Sequence, residues 1–214
     1  MPDDDPFLDI SLINPERHVG YLQYPSATGQ ILEFRHIAEW RDFLHDRRIR
    51  SRRVHPICAA QFLAALRIML FAWADSACIK AVELMALRAL ESSLQFVYYT
   101  ALQAANPAKK RKQKPPGLIP NQEPIRFGLA RYLEYMETHD GLATVYDYSR
   151  FKDNVNSLPK IRNGIGHGDL NSGWPWGGLL ETVRDIIEHA WRNSPELPEA
   201  MLYDNQMAES INLD

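Results

Sequence analysis

Cysteine is scarce in this chain of 214 residues, which contains only Cys58 and Cys78. Neither belongs to a C-x-x-C pair, and both lie in apolar sequence of helical character. This pattern argues against a disulfide framework and against a cysteine-ligated zinc site. We therefore expect two buried free thiols.

The sequence also lacks the signatures of several large enzyme classes. It contains no H-E-x-x-H zinc motif, no G-x-x-x-x-G-K-[ST] phosphate loop and no G-x-S-x-G nucleophile elbow. The glycine-rich stretch 164–168 lacks G-x-G-x-x-G spacing and follows no strand pattern, which argues against a dinucleotide fold. His167 and Asp169 alone make a weak metal pair. We predict neither a metal site nor a cofactor.

A secretory leader is not evident in the first residues. Residues 1–6 are acidic and rich in turn formers, whereas a signal peptide would be basic and then apolar. The longest apolar segment, 57–74, is interrupted by Gln61 and Arg67 and is at the lower length limit for a membrane span. We expect a cytoplasmic protein in which this segment is a buried core helix and no part enters a membrane.

Overall composition is that of an ordinary globular domain, with 45% hydrophobic and 24% charged residues and a net charge of -3. The small net charge hides two basic blocks in an otherwise acidic chain. The first contains Arg47, Arg48, Arg50, Arg52 and Arg53, and the second contains Lys109, Lys110, Arg111, Lys112 and Lys114. Such blocks either attract nucleic acid or form solvated faces and loops.

The N-terminal part shows two different patterns. Residues 1–35 have no sustained helical period, which predicts an irregular or weakly extended arm. From His36, apolar residues recur at three-to-four spacing, which predicts a helix ending near Arg50. Residues 36–56 would then form an additional helix and linker, and we expect the arm and this helix to pack outside the core.

Residues 57–192 show the periodicity of a helical bundle. Asp75 and Ser76 offer an N-cap for a long amphipathic helix reaching about Ala104, and one continuous helix from Ile57 is the alternative. A basic, proline-rich loop is predicted at 106–121. Helical spacing follows at 125–136 and again from 144, with a kink or restart at Pro159. The chain ends with a helix at 176–191 and a tail at 193–214. Many amphipathic helices with few strand signals predict an all-α fold around one core.

One stretch, Arg162-Asn163-Gly164-Ile165-Gly166-His167, combines three groups suited to phosphate-ester chemistry. A guanidinium matches phosphate oxygens bidentately, and an imidazole can both accept and donate a proton near neutrality. The amide of Asn163 could orient either an imidazole or a phosphate oxygen.

These residues resemble the Arg-x4–6-His signature of HEPN domains, in which the motif lies at a helix end before another amphipathic helix. The stretch 80–91 is similar to the long first bundle helix of that family, which often bears an acidic residue, here Glu83 as a candidate supporting acid. The resemblance covers about residues 57–192. It implies a helical bundle and, for many members, a metal-independent endoribonuclease of toxin–antitoxin, antiphage or RNA-processing systems, with an antitoxin protein as a partner in the first case.

The resemblance also implies roles for the motif residues. His167 would transfer protons, Arg162 would hold the developing negative charge, and cleavage through the 2′-hydroxyl would leave 2′,3′-cyclic phosphate and 5′-hydroxyl ends. Two protomers of a C2 homodimer would bring their motifs together at the interface. The lysines and arginine of the 109–114 block, together with Lys160, are the candidate RNA contacts. An ideal helix would place Arg162 and His167 about 140° apart, and Gly164 and Gly166 would permit local unwinding.

Other interpretations of the same residues remain. The motif could be an ordinary helix C-terminus with His167 complementing the helix dipole. Glu83 and Glu91 could be exposed or salt-bridged helix residues, and the tryptophans at 174 and 176 could anchor a turn or stack on a base. The protein could accordingly be a noncatalytic RNA- or nucleotide-binding module, or a partner-binding bundle.

Overall fold

The computed structural model describes residues 21–105, 127–154, 157–167 and 175–198. In chain order the elements are strands β1 (Leu22–Pro25) and β2 (Ile31–Phe34) and helices α1 (Ile37–His45), α2 (Pro56–Leu70), α3 (Cys78–Ala105), α4 (Leu129–His139), α5 (Tyr148–Phe151), α6 (Leu158–Gly166) and α7 (Leu179–Trp191). The prediction of a mostly helical fold is confirmed, with one two-stranded sheet among the described residues.

Helix α3 is the central element, since α2, α4, α6 and α7 all pack against it. Its 28 residues extend for roughly 42 Å at the usual helical rise. Buried residues occur around most of its circumference, as expected for a helix covered on several sides. The long amphipathic helix predicted from the sequence is therefore present, and its last residue, Ala105, lies one position beyond the predicted end near Ala104.

The chain breaks between α2 and α3, so the alternative of one continuous helix is wrong. A 3-10 turn at Phe71–Trp73 follows α2, and the Asp75 side chain then accepts a hydrogen bond from the Ala77 N–H at 2.9 Å. Pro56 occupies the first turn of α2, where proline loses no helical hydrogen bond.

Helix α2 with the following turn is the one described segment long and apolar enough to cross a membrane by length and composition. This segment, Pro56–Trp73, has a mean hydropathy of 1.6, and 44% of it is buried inside the protein. Cys58, Phe62 and Leu66 on α2 are completely buried, as expected for a core helix. The absence of a membrane span stays a prediction.

Residues 21–35 form an antiparallel β-hairpin, so of the two predicted alternatives the extended one holds over this part of the chain and the irregular one is wrong. Leu22 pairs with Phe34 and Tyr24 with Leu32, and Gly29 adopts φ 82° in the turn. Short alternating sequence of this kind forms a stable hairpin only when its apolar face packs on something else. Residues 1–20 of the expected arm lie outside the described residues.

The hairpin and α1 belong to the core, which corrects the expectation that they pack outside it. Trp40 on α1 is completely buried, and its ring lies 5.5 Å from Tyr24 and 5.0 Å from Phe34 between centroids. The Trp40 Nε1–H donates to the Met69 carbonyl at 3.0 Å, which attaches α1 to α2. This aromatic cluster explains why two short strands persist beside a helical bundle.

Helix α1 ends at His45, earlier than the expected end near Arg50, because the first basic block crosses α7. The Arg47 guanidinium pairs with Glu181 at 2.6 Å, and Glu188 accepts the backbone N–H groups of Arg50 and Ser51. Part of this block therefore stabilises the fold by binding acidic residues of α7.

The hairpin turn is seated on two glycines that precede α7. A Cβ on Gly177 would lie 2.3 Å from the Ser26 carbonyl oxygen, and one on Gly178 would lie 2.6 Å from the Ala27 Cβ. Gly178 also has φ 77°, a left-handed conformation that disfavours side chains. Helix α7 therefore begins at Leu179, later than the predicted start at 176.

We expect Gly178→Ala to lower the free energy of unfolding by about 1–3 kcal/mol, since it combines backbone strain with a steric clash. Gly128→Ala is the matched control, because Gly128 has φ -75° and a Cβ there meets nothing within 4 Å. Urea denaturation followed by circular dichroism measures both. Equal stabilities of the two variants would contradict the proposed close contact between the hairpin turn and Gly178.

Candidate functional site

The motif lies on α6, a short helix whose ends are defined by the local sequence. Pro159 sits in the first turn, which confirms a restart there, and Leu158 and Ile161 are buried. The helix runs through Gly166 to the C-cap residue His167, whose N–H donates to the Asn163 carbonyl at 2.9 Å. The unwinding that the glycines would permit is not observed.

Arg162 lies against α3 in a defined orientation. Its Nη2 donates to Glu91 Oε2 at 3.0 Å and its Nη1 donates to Asn163 Oδ1 at 3.3 Å. The Arg162 and Glu91 side chains are 29% and 21% exposed, so the ion pair is partly shielded from solvent. Arginine has five N–H donors, so further donors of this guanidinium are left for a ligand.

The same arginine borders a cleft of about 540 Å³ on the surface shared by α2, α3 and α6. The polar and charged side chains that line this cleft are Gln61, Arg88, Glu91, Ser92, Gln95 and Arg162. The Arg162 Nε is buried at the edge of the cleft and has no hydrogen-bond acceptor among the described residues. We call this space the α2–α3 cleft.

His167 and Asn163 lie on a different side of α6 from Arg162. Both are exposed, as is Lys160, and the spacing 160, 163, 167 places the three on one helix face. Because the helix is intact to Gly166, Arg162 and His167 project about 140° apart. One protomer therefore has its motif arginine in the cleft and its motif histidine on the outer surface.

Glu91, on the turn of α3 that faces α6, is the acidic residue that contacts Arg162. Glu83, the candidate acid from the sequence, is completely buried and binds Lys80 Nζ at 2.9 Å and the Trp176 N–H at 2.6 Å. Burial raises the pKa of the Glu83 carboxyl, and these two donors act against that shift. The interpretation of both glutamates as salt-bridged helix residues is confirmed.

Tyr132 on α4 lies close enough to Glu91 to respond to its charge. Burial raises the pKa of the Tyr132 phenol to about 12, and the Glu91 carboxylate acts in the same direction. The hydroxyl is buried and has no partner within the described residues. This side chain therefore remains a neutral phenol at physiological pH.

The remaining candidates have different positions. Lys160 is exposed and its ammonium donates to the Asp153 carbonyl at 2.6 Å. Trp176 is held by Glu83 through its backbone, with the Lys80 ammonium 5.7 Å from its ring centroid. Five basic candidates lie outside the described residues, namely Lys109, Lys110, Arg111, Lys112 and Lys114, and so does Trp174.

Among the described residues, no group of three or more His, Cys, Asp or Glu side chains is placed to hold a metal ion. Comparisons of this chain with protein-family models, with curated proteins and with solved structures find no match.

The ion pair between Arg162 and Glu91 should be measurable in a double-mutant cycle on unfolding free energy. We expect a coupling of about 1 kcal/mol between Arg162→Ala and Glu91→Ala, at the upper end for partly exposed pairs. The exposed pair Arg131–Glu134, with side chains 51% and 47% exposed, is the control and should give less than about 0.5 kcal/mol. Equal couplings would show that Glu91 does not hold the arginine.

Proposed function

We propose that this protein is a metal-independent endoribonuclease with a HEPN-like helical bundle. The observation that carries the proposal is the position of Arg162, which Glu91 and Asn163 hold at a cleft while other N–H donors remain available for a phosphate. The packing of the motif helix α6 against the long helix α3 supports the bundle assignment.

The proposed reaction needs two proton transfers and one stabilised phosphorane. One imidazole takes the proton of the ribose 2′-hydroxyl as the 2′-oxygen attacks the phosphorus. A second imidazole gives its proton to the 5′-oxygen as the phosphorus–oxygen bond to it breaks. The products are a 2′,3′-cyclic phosphate and a 5′-hydroxyl, and guanidinium groups stabilise the charge on the phosphorane oxygens.

A symmetric homodimer supplies the second histidine in this proposal. Each protomer carries one motif, and its exposed face consists of Lys160, Asn163, Gly166 and His167. Gly166 has open space where a side chain would lie, so a second backbone can approach it closely. A C2 contact through this face would place both His167 side chains near the axis, each beside the partner's motif.

A noncatalytic phosphate-binding module is the second candidate, favoured by one specific observation. The intact helix separates Arg162 from His167 by about 140°, so a single protomer cannot direct both side chains at one phosphate. In that case the same arginine would bind RNA or a nucleotide without cleaving it.

The first test is RNA cleavage in EDTA by the wild type and by His167→Ala. We expect the variant to lose at least 100-fold in rate, since proton transfer contributes about that much or more. Product ends from the wild type should be 2′,3′-cyclic phosphate and 5′-hydroxyl. His139→Ala is the control, because His139 is an exposed histidine at the end of α4.

Each result of that test has a defined meaning. Cleavage that survives His167→Ala would refute the assigned role of His167. Binding without cleavage by the wild type would favour the phosphate-binding module. If the wild type shows no RNA binding and no cleavage, the result favours a partner-binding bundle. The proposal of a toxin-like effector with an antitoxin partner would then have no support.

The dimer is tested separately by Gly166→Arg in sedimentation velocity. The wild type should sediment as a dimer and the variant as a monomer at the same concentration, because the new side chain occupies the proposed contact. RNA cleavage by the variant should fall at least tenfold. Thr138→Arg, on an exposed position of α4, should remain dimeric and active. A monomeric wild type would rule out the shared site.

A further inference from the structure

The α2–α3 cleft carries one cationic group, Arg88, that the proposed cleavage chemistry does not use. Arg88 is exposed beside the cleft, and its guanidinium has no ion-pair partner within the described part of the chain. Arg162 is paired with Glu91, so the three charged groups of the lining sum to one net positive charge. A single phosphodiester carries the complementary charge, and arginine binds phosphate oxygens bidentately.

The rest of the lining suits a heterocyclic base. Met85, Ala64 and the ring of Phe127 provide apolar surface, and the amides of Gln61 and Gln95 provide both donors and acceptors. A volume of about 540 Å³ lies within the range of small-ligand pockets. Apolar walls with a few amide groups can hold the faces of a base and hydrogen-bond its edge.

Exposed apolar side chains continue from the cleft toward the start of α2. Phe96 is 59% exposed and follows Ser92 by one helical turn, and Ile57 is 56% exposed and precedes Gln61 by one turn. The His55 ring stacks on Phe96 with centroids 4.8 Å apart. Exposed rings beside a cationic groove are the arrangement that binds unpaired nucleic acid strands.

We propose that the α2–α3 cleft binds one unpaired nucleotide of an RNA strand, with its phosphate on Arg88 and its base edge on Gln61 and Gln95. The adjacent base stacks on Phe96. This inference rests on the proposed function in taking RNA as the ligand, and it specifies single-stranded RNA as the substrate. In a duplex the base edges are already paired, so a base could enter the cleft only after leaving its stack.

Arg162 connects this cleft to the motif because it belongs to both. A nucleotide held in the cleft would therefore position the neighbouring phosphodiester of the same strand at the C-terminal end of α6, where His167 lies. The cleft acts as a positioning and specificity site, separate from the groups that transfer protons.

The test measures RNA binding by fluorescence anisotropy in a His167→Ala background, so that the probe is not cut. The probes are a fluorescein-labelled single-stranded RNA octamer and the same octamer in a duplex. We expect Arg88→Gln to weaken binding of the single strand at least tenfold and Phe96→Ala at least fivefold, with the duplex bound more weakly by every protein. Arg131→Gln, an exposed arginine on α4, is the matched control and should change binding less than twofold.

Salt dependence provides a second readout. Loss of one phosphate contact should reduce the slope of log affinity against log salt by about 0.7 for Arg88→Gln and leave it unchanged for Phe96→Ala. Arg88 and Phe96 are both exposed, so neither change should affect folding, which circular dichroism verifies.

The outcomes separate this inference from the proposed function. If the wild type cleaves RNA but Arg88→Gln and Phe96→Ala bind like the parent, the cleft assignment is wrong and the ribonuclease proposal stands. If the variants weaken binding but the wild type never cleaves, the cleft assignment stands and the ribonuclease proposal fails. Absence of RNA binding by the parent, or equal affinity for the duplex, would overturn the inference.

Discussion

A buried carboxylate on the central helix is the constraint on which much of the structure depends. Glu83 has no solvent exposure, and a buried charge is strongly unfavourable unless it is paired and hydrogen-bonded. Lys80 comes from the preceding turn of α3, but the Trp176 N–H comes from the segment that enters α7. The chain must therefore return to this point of α3 before its last helix begins. The hairpin turn then packs on the two glycines that follow Trp176.

The same helix supplies the carboxylate of the candidate site. Glu91 lies two turns beyond Glu83, and its side chain is 21% exposed, so it keeps part of its hydration. Glu91 forms an ion pair with Arg162. A rigid α3, held on several sides by packed helices, gives Glu91 a fixed position relative to α6. The orientation of Arg162 thus depends on the packing of the whole bundle.

The helices were predictable from the sequence because their apolar periodicity is a local signal. The 3.6-residue pattern of α3 and α7 and the proline in the first turn of α6 all act within a few residues. The hairpin pairing is not predictable from local sequence, because its strands have four residues each and the connection at 26–30 has no Asn-Gly or Asp-Gly pair. Its stability comes from Tyr24 against Trp40, which are not neighbours in sequence.

The sequence predicts which residues form the candidate site but not which residues they contact. Arg162, Asn163 and His167 stand out as a group in the sequence, but the partner of Arg162 is 71 residues away in the chain. Glu83 and Glu91 both belong to the acidic pattern of the same helix, and only tertiary packing decides which is buried and which meets the arginine. Arg88 carries no distinguishing signal in the sequence, because an exposed arginine on a helix is ordinary. Its relevance arises from the cleft that α2 and α6 complete.

The geometry of α6 determines what chemistry the motif can perform. Two glycines in its last turn would permit unwinding, yet the backbone hydrogen bonds persist to the C-cap and keep Arg162 and His167 on different sides. The Arg162 side chain consequently lies at the cleft, and His167 lies on the outer face of α6. An RNA strand on one protomer can contact both groups only by extending across the helix end, whereas a single phosphate can contact both only if a second protomer supplies one of them. Acid–base cleavage also needs two proton-transfer groups, and the symmetric dimer supplies the second imidazole, whereas an extended strand on one protomer has only one.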